Sequence, residues 1–190
     1  MANNVQNVTA GKPAIEGAVY RALLTDSVEI PTDATSDLSS DFKALGYVSS
    51  DGLTNSNSPN SEKIKAWGGD TVLVVQSEKE DTFTLKLIEV MNKDVLAAVY
   101  GDDNVDGDLA SGMTVRANAD EPDEGVWVID MIMRGDALKR IVIPDGKVSE
   151  IGDIEYKDDD AVGYELTIEA LPDLDGNTHY EYIQGDDVSA

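Results

Sequence analysis

Residues 45–101 read LGYVSSDGLTNSNSPNSEKIKAWGGDTVLVVQSEKEDTFTLKLIEVMNKDVLAAVYG. Within this stretch, residues 81–88 (DTFTLKLI) alternate between apolar and polar side chains, which is the period of a strand with one buried face. Residues 71–77 (TVLVVQS) form another run rich in β-branched residues. The stretch therefore predicts two consecutive strands.

The end of the same stretch predicts one short helix. Asn92 or Asp94 can cap its first turn, and Gly101 suits the position just past its last turn. The side chains expected to face inward are Val95, Leu96 and Val99. Residues 49–60 (SSDGLTNSNSPN) nearly lack large apolar side chains and are rich in turn formers, so we predict an exposed loop there.

Several features of this stretch occur in the same order in one protein family. They are the GYVS strand at residues 46–49, the Asp51-Gly52 turn, the IKAWGG segment at residues 64–69 and the Tyr100-Gly101 pair. The stretch resembles the major tail tube proteins of long non-contractile-tailed bacteriophages. A looser likeness covers residues 14–183.

This resemblance implies a structural subunit that assembles into six-membered rings. Strands from each subunit would join into a continuous inner barrel, and the rings would stack into a tail tube that conducts DNA during genome ejection. The loop after the first strands would reach an adjacent ring. Its candidate contact residues are Ser49, Asp51, Gly52, Asn55, Asn57, Asn60 and Trp67.

The resemblance also implies the partners and the location of the protein. Other copies of the chain, the tape-measure protein, the tail terminator and the tail-tip proteins would bind it, and DNA would be a passenger only. The protein would reside in the virion tail after assembly in the cytoplasm of the host bacterium.

The rest of the chain predicts a mainly β fold, an antiparallel β-sandwich or partial barrel with about ten short strands and one short helix. Leu38, Phe42 and Leu45 are spaced as on one helical turn, and Pro144-Asp145-Gly146 predicts a tight hairpin. We expect a flexible arm at residues 1–13, a single domain at residues 14–185 and an acidic tail at residues 186–190. The other predicted strands are residues 17–25, 114–118, 125–133, 137–143, 147–156, 161–170 and 178–183.

The net charge of the chain is −24, from 38 acidic and 14 basic residues. The negative electrostatic potential that this charge produces disfavours direct binding to phosphates. It fits a solvated surface, an acidic channel wall that repels a passing duplex, or a DNA mimic that occupies a basic groove. In residues 164–169, the apolar side chains alternate with Glu165, Thr167 and Glu169, which are the candidates for a face that lines a channel.

Signs of an enzyme are scarce. There is no cysteine, His179 is the single histidine, and no nucleophile elbow, phosphate-binding loop or dinucleotide fingerprint is present. We therefore expect no catalytic residue, no cofactor and no metal, and we interpret His179 as a surface or interface residue. The absence of a long apolar run predicts no membrane anchor.

Residues 102–108 (DDNVDGD) match the opening of a calcium loop. The twelfth position is Met113 instead of the bidentate glutamate that such loops need, and a strand is predicted to follow. An acidic turn is the better interpretation. Two alternatives to the tube subunit remain open, a calcium-dependent β-sandwich module for binding or adhesion and an acidic DNA-mimic inhibitor.

Overall fold

The structure is a computed structural model that describes residues 3–14 and 17–185. It contains one α-helix, α1 (Lys93–Tyr100), and three short 3₁₀ turns at Val5–Asn7, Asp102–Asn104 and Arg134–Asp136. The strands are β1 (Lys12–Pro13), β2 (Val19–Leu23), β3 (Lys43–Ala44), β4 (Val48–Lys65), β5 (Thr71–Leu87), β6 (Val105–Asp108), β7 (Gly112–Val115), β8 (Gly125–Ile132), β9 (Leu138–Ile151), β10 (Tyr164–Ala170) and β11 (Tyr180–Gln184).

Nine strands form one antiparallel sheet in the order β3-β2-β8-β9-β10-β5-β4, with β1 added beside β8 and β11 added beside β9. Strands β6 and β7 form a separate hairpin. The sheet does not close into a barrel. The prediction of a mainly β, antiparallel fold with one short helix is confirmed.

The alternation of buried and exposed residues along the strands shows on which face of the sheet the core lies. In β10, Tyr164, Leu166 and Ile168 are buried and the residues between them face outward. Phe83 and Leu85 of β5 join them, and α1 covers the resulting apolar surface. The helix begins after Asn92, whose side chain accepts a hydrogen bond from the Asp94 amide at 3.0 Å. It ends at Gly101, as predicted, which has a φ of +93°.

Strand β8 is buried on both faces within the subunit. Trp127 and Ile129 belong to the large core under α1, whereas Val126 and Val128 belong to a smaller cluster with Phe42 on the opposite side. This explains why the sequence of β8 is apolar at consecutive positions. No neighbouring subunit is needed to bury this strand.

Residues 30–42 cover the smaller cluster without forming a helix. Phe42 lies in this cluster and Leu38 packs against it, whereas Leu45 lies in the large core on the other side of the sheet. The predicted helical turn is therefore wrong, because the short extended segment β3 separates Leu45 from Leu38 and Phe42. Arg140 holds the covering segment by donating to the Asp33 and Ser36 carbonyl oxygens, while it also binds both carboxylate oxygens of Asp130.

The hairpin predicted at residues 144–146 is a β-bulge inside the continuous strand β9. Pro144 and Asp145 lie opposite the single residue Val126, and pairing resumes at Gly146. Gly146 is required by close packing, since a Cβ there would lie 2.7 Å from the Trp127 ring. The proline is tolerated because a bulge interrupts the ladder of hydrogen bonds.

The bulge places the Asp145 carboxyl in an unfavourable environment. Burial, together with the charge of Glu124, raises the pKa of Asp145, and its Oδ1 atom is buried without a hydrogen bond. A carboxyl whose pKa is raised on folding destabilises the fold at pH values where it is ionised.

We expect Asp145→Asn to increase the free energy of unfolding at pH 7. The gain should shrink as the pH falls toward 4, because the wild-type carboxyl then becomes protonated. Urea unfolding at both pH values measures the difference. Glu124→Gln should act in the same direction by removing the neighbouring charge. A loss of stability in Asp145→Asn at pH 7 would show that the ionised carboxylate is favourable.

The structure includes part of the predicted N-terminal arm in the sheet. Lys12 and Pro13 pair with Ile132 and Met131 of β8. The acidic tail at residues 186–190 lies outside the described residues. Among the helices that the structure describes, none has the length and apolar character to cross a membrane.

Candidate functional site: a projecting hairpin and its root

Strands β4 and β5 form a hairpin that is much longer than the sheet from which it emerges. Its strands contain 18 and 17 residues, whereas β10, which pairs with β5 in the body, contains 7. Beyond the Asn57 and Asp81 pair, the ladder continues to Lys65 and Thr71. At about 3.4 Å per residue, this outer part projects by about 30 Å.

The predicted exposed loop at residues 49–60 is wrong in conformation, because these residues belong to β4. Residues 49–52 form an irregularity at the start of the strand, and regular pairing with β5 begins at Leu53. The actual turn lies at residues 66–70, where the Ala66 amide donates to the Asp70 carbonyl oxygen at 2.8 Å. Gly68 and Gly69 have φ values of +118° and +99°, which favour glycine.

The outer part of the hairpin carries exposed apolar side chains on both faces. Ile64 lies opposite Leu73, and Val72 and Val74 point to the other face. Trp67 in the turn is fully exposed, at 107% of its reference area. We call this set the apolar tip, and it consists of Ile64, Trp67, Val72, Leu73, Val74 and Val75. An apolar surface of this kind is typical of an interaction site.

The part of the hairpin around its tip carries no net charge. Residues 53–77 contain two acidic residues and two lysines, so their formal net charge is zero in a chain of net charge −24. A neutral apolar tip can approach another copy of this acidic chain with little repulsion.

At the root of the hairpin, Asp81 connects the hairpin to the body. Its buried carboxylate accepts hydrogen bonds from the Asn55 Nδ2 atom at 2.8 Å and the Thr178 Oγ1 atom at 2.5 Å. The His179 Nδ1 atom lies 2.5 Å from the same carboxylate, and the His179 ring packs edge-on against Phe83. The segment before β11 is thereby held across the point where the hairpin leaves the sheet.

His179 is therefore not a surface residue of the subunit, since its side chain is 15% exposed and is paired with Asp81. Burial of the Asp81 carboxyl opposes its ionisation, but the hydrogen bonds from Thr178, Asn55 and His179 outweigh this cost. They lower the pKa of Asp81 below its usual value.

This lowered pKa predicts a loss of stability in acid. An aspartate with a lower pKa in the folded state stabilises the fold above the unfolded pKa of about 4 and loses that effect as the pH falls through the folded value. We expect Asp81→Asn to have a smaller difference in unfolding free energy between pH 6 and pH 3 than the wild type. Urea unfolding at each pH measures this difference. An unchanged difference would show that Asp81 does not contribute to acid sensitivity.

The candidate contact residues predicted from the sequence do not form one cluster. Ser49, Asp51 and Gly52 lie in the irregular start of β4, beside the Leu87 end of β5, where the Ser49 hydroxyl donates to the Asp51 carboxylate at 3.0 Å. Asn55 is used in the Asp81 contacts. Asn57 and Asn60 lie along the strand, and only Trp67 lies at the apolar tip. The other tip residues were not among the predicted contact residues, although they form an apolar run with both faces occupied.

The residues predicted to line a channel lie on the outward face of β10, and this face is not purely acidic. Glu165 lies beside Lys86, and Glu169 lies beside Thr82 on one neighbouring strand and Lys147 on the other. Thr167 shares a hydrogen bond with Thr84 at 3.2 Å. Much of the acidity of the chain lies instead in segments between strands, such as residues 116–124 and 152–163.

The segment that resembles a calcium loop folds as a 3₁₀ turn followed by the β6–β7 hairpin. Three of its four carboxylates bind separate protein partners. Asp102 binds the buried Arg21 at 2.9 Å, Asp106 binds Arg116 at 2.5 Å, and Asp108 accepts from the backbone amides of residues 110 and 111. Within the described residues, no group of three or more potential metal ligands is present.

Two comparisons with known proteins bear on identity. No curated protein matches the chain. A family model described as phage tail tube protein matches residues 1–190, which is the whole chain. Proteins of this family are structural components of the virion tail, and multiple subunits assemble into a tube. The projecting hairpin and the antiparallel sheet thus belong to a member of the phage tail tube protein family.

Proposed function

We propose that this subunit forms hexameric rings that stack into a tail tube, and that the β4–β5 hairpin connects one ring to the next. The observation that carries the proposal is the apolar tip, which the subunit leaves exposed at the end of a projection about 30 Å long. Burial of one Val, Leu or Ile side chain contributes about 1.5–3 kcal/mol. A ring that contributes six such hairpins would gain a large stabilisation from the next ring.

Lateral closure of each ring is supported by the edges of the sheet. Among the described residues, no strand pairs with the outer edge of β4, which is 18 residues long. A long free edge invites pairing with another chain. Pairing between neighbouring subunits would satisfy this edge and join their sheets around the ring.

The channel face is proposed to consist of Glu165, Thr167 and Glu169. Hydroxyl and carboxylate groups on this face offer no strong attraction to phosphate, so DNA would pass as cargo without binding. The two neighbouring lysines are offset by these glutamates. Tubes of Glu165→Lys/Glu169→Lys should retain short duplex DNA at low salt, whereas wild-type tubes should not. Equal retention by both would place this face outside the channel.

The further partners proposed are the tape-measure protein, which would occupy the channel during growth, and the tail terminator and tail-tip proteins, which would bind the two ends. Assembly would occur in the cytoplasm of the host bacterium, and the function would be structural, without catalysis. Membership of a structural family and the absence of cysteine support this proposal.

Sedimentation in rising salt tests the assembly proposal. Subunits with a net charge of −24 repel one another, and salt screens this repulsion over about 10 Å at 0.1 M. We expect the mass distribution to shift from single subunits toward hexamers and larger stacks as salt increases. A single-subunit mass at every salt and protein concentration would contradict the proposal.

A further inference from the structure

The hairpin tip and a second exposed apolar surface lie at opposite ends of the same long strand. Leu87, at the far end of β5, is in register with Val48 of β4 and Tyr164 of β10. At this end, Tyr47 precedes β4, Met91 follows β5, Ile151 ends β9 and Tyr156 lies in the segment between β9 and β10. We call these four residues the root surface.

The root surface is exposed although its residues are large and apolar. The exposed fractions are 73% for Tyr47, 66% for Met91, 40% for Ile151 and 76% for Tyr156. Tyr156 lies close enough to Tyr164 to contribute, after burial and Tyr100, to raising the pKa of Tyr164 to about 12. The segment that carries Tyr156 runs beside this end of the sheet, because the Gly152 amide donates to the Glu165 carbonyl oxygen at 2.9 Å and Ile154 packs against the large core.

The two ends differ in charge, and the tip presents two lysines that could meet an acidic segment. Lys63 and Lys65 flank Ile64 at the tip, and Lys63 lies directly opposite Val74. The segment at residues 152–163, which contains Tyr156, holds five acidic residues and one lysine. Three of the acidic residues, Asp158–Asp160, are consecutive and exposed. Because Glu62 and Asp70 balance the two lysines, the tip is neutral as a whole, and it lies at the opposite end of the hairpin from an apolar surface with anionic neighbours.

Building on the proposed function, we propose that the root surface is the receiving site for the apolar tip of a second copy in the adjacent ring. Trp67 packs against Tyr47 and Tyr156 in this contact, and Lys63 and Lys65 lie against the acidic run at residues 158–160. The two surfaces are different patches of one chain, so the contact is head-to-tail and does not close on itself. Contacts of this kind repeat without limit along an axis.

Photo-cross-linking in assembled tubes tests the receiving site. p-Benzoylphenylalanine in place of Trp67 should cross-link to a second copy at the segments around Tyr47, Met91, Ile151 and Tyr156, as located by mass spectrometry. The same amino acid in place of Leu174, which is also fully exposed but lies in another turn, should not cross-link to these segments. Cross-links from position 67 to other parts of a second copy would overturn the receiving site and leave the inter-ring role of the hairpin intact. A failure of the wild-type chain to form tubes, or tubes of the variant without any cross-link between copies, would overturn both.

A charge exchange provides the second test. Lys63→Glu/Lys65→Glu should raise the protein concentration needed for tube growth about tenfold or more, because like charges would then face each other. Asp158→Lys/Asp159→Lys should have a similar effect, because the two new lysines would face the unchanged Lys63 and Lys65 of the second copy. The combination of all four changes should restore growth toward the wild-type concentration. Additive losses in the combined variant would contradict the pairing.

Discussion

Replacing residues 58–80 with an Asn-Gly turn between Asn57 and Asp81 is expected to give a folded subunit that forms no tubes. These two residues are partners across the hairpin, so a two-residue turn can join them. The removed part lies beyond the core, and its described side chains are mostly exposed. Loop-closure entropy changes slowly with length, so the isolated fold should change in stability by about 1 kcal/mol or less.

Circular dichroism, thermal unfolding and electron microscopy together measure this result. A control that replaces residues 109–111 in the β6–β7 turn with Asn-Gly should unfold similarly and still form tubes. Normal tube growth by the folded variant lacking the outer hairpin would eliminate the inter-ring role. Loss of folding would show that the outer hairpin supports the core.

The two tryptophans are expected to separate folding from assembly. Trp127 is completely buried under α1 and donates from its Nε1 atom to the Gly146 carbonyl oxygen at 3.2 Å. Trp127→Ala leaves a large cavity and should lower the free energy of unfolding by about 3–5 kcal/mol. Trp67 makes no contribution to the core because it is fully exposed. Trp67→Ala should leave the unfolding free energy within about 0.5 kcal/mol of wild type and impair tube growth.

Urea unfolding followed by circular dichroism compares both variants without depending on tryptophan fluorescence. Tube growth is then measured under conditions where each variant is folded. A stability loss in Trp67→Ala similar to that in Trp127→Ala would show that the hairpin packs against its own subunit in solution. Wild-type tube growth by Trp67→Ala would show that the indole is not part of the contact.

The body of the fold could be predicted from the sequence because its strands have one buried face. The alternation in β10 and in the inner half of β5 reports that burial directly, and the cap at Asn92 and the glycine at Gly101 mark the ends of α1. The part of the hairpin that projects beyond the sheet lacks this alternation of buried and exposed residues. Both faces of β4 are open to solvent there, so polar residues at successive positions resemble a loop, although the ladder with β5 keeps them extended.

The bulge in β9 shows a second limit. Pro144, Asp145 and Gly146 fit a tight turn equally well by their backbone preferences, and the packing of Trp127 against Gly146 decides between the two structures. That contact joins two neighbouring strands at positions 19 residues apart, so it is not visible in the local sequence around the turn. The same holds for Asp81 and His179, which are 98 residues apart and form the contact at the root of the hairpin.

Of the candidate contact residues predicted from the sequence, Trp67 alone lies at the apolar tip. Trp67 belongs to the IKAWGG segment of the family resemblance, and its position in the hairpin turn makes it fully exposed. Val72 and Val74 were not predicted as site residues, because an apolar, β-branched run is usually found in a core. Their exposure follows from the length of the hairpin, which the sequence pattern does not report.

Electron microscopy of the purified, concentrated protein tests the central claim most directly. We predict rings with six-fold symmetry and hollow tubes built from stacked rings at moderate salt, with the outer hairpin of each subunit reaching the neighbouring ring. Isolated subunits without rings or tubes at any salt, in a preparation that light scattering shows to be monomeric at high concentration, would contradict the claim.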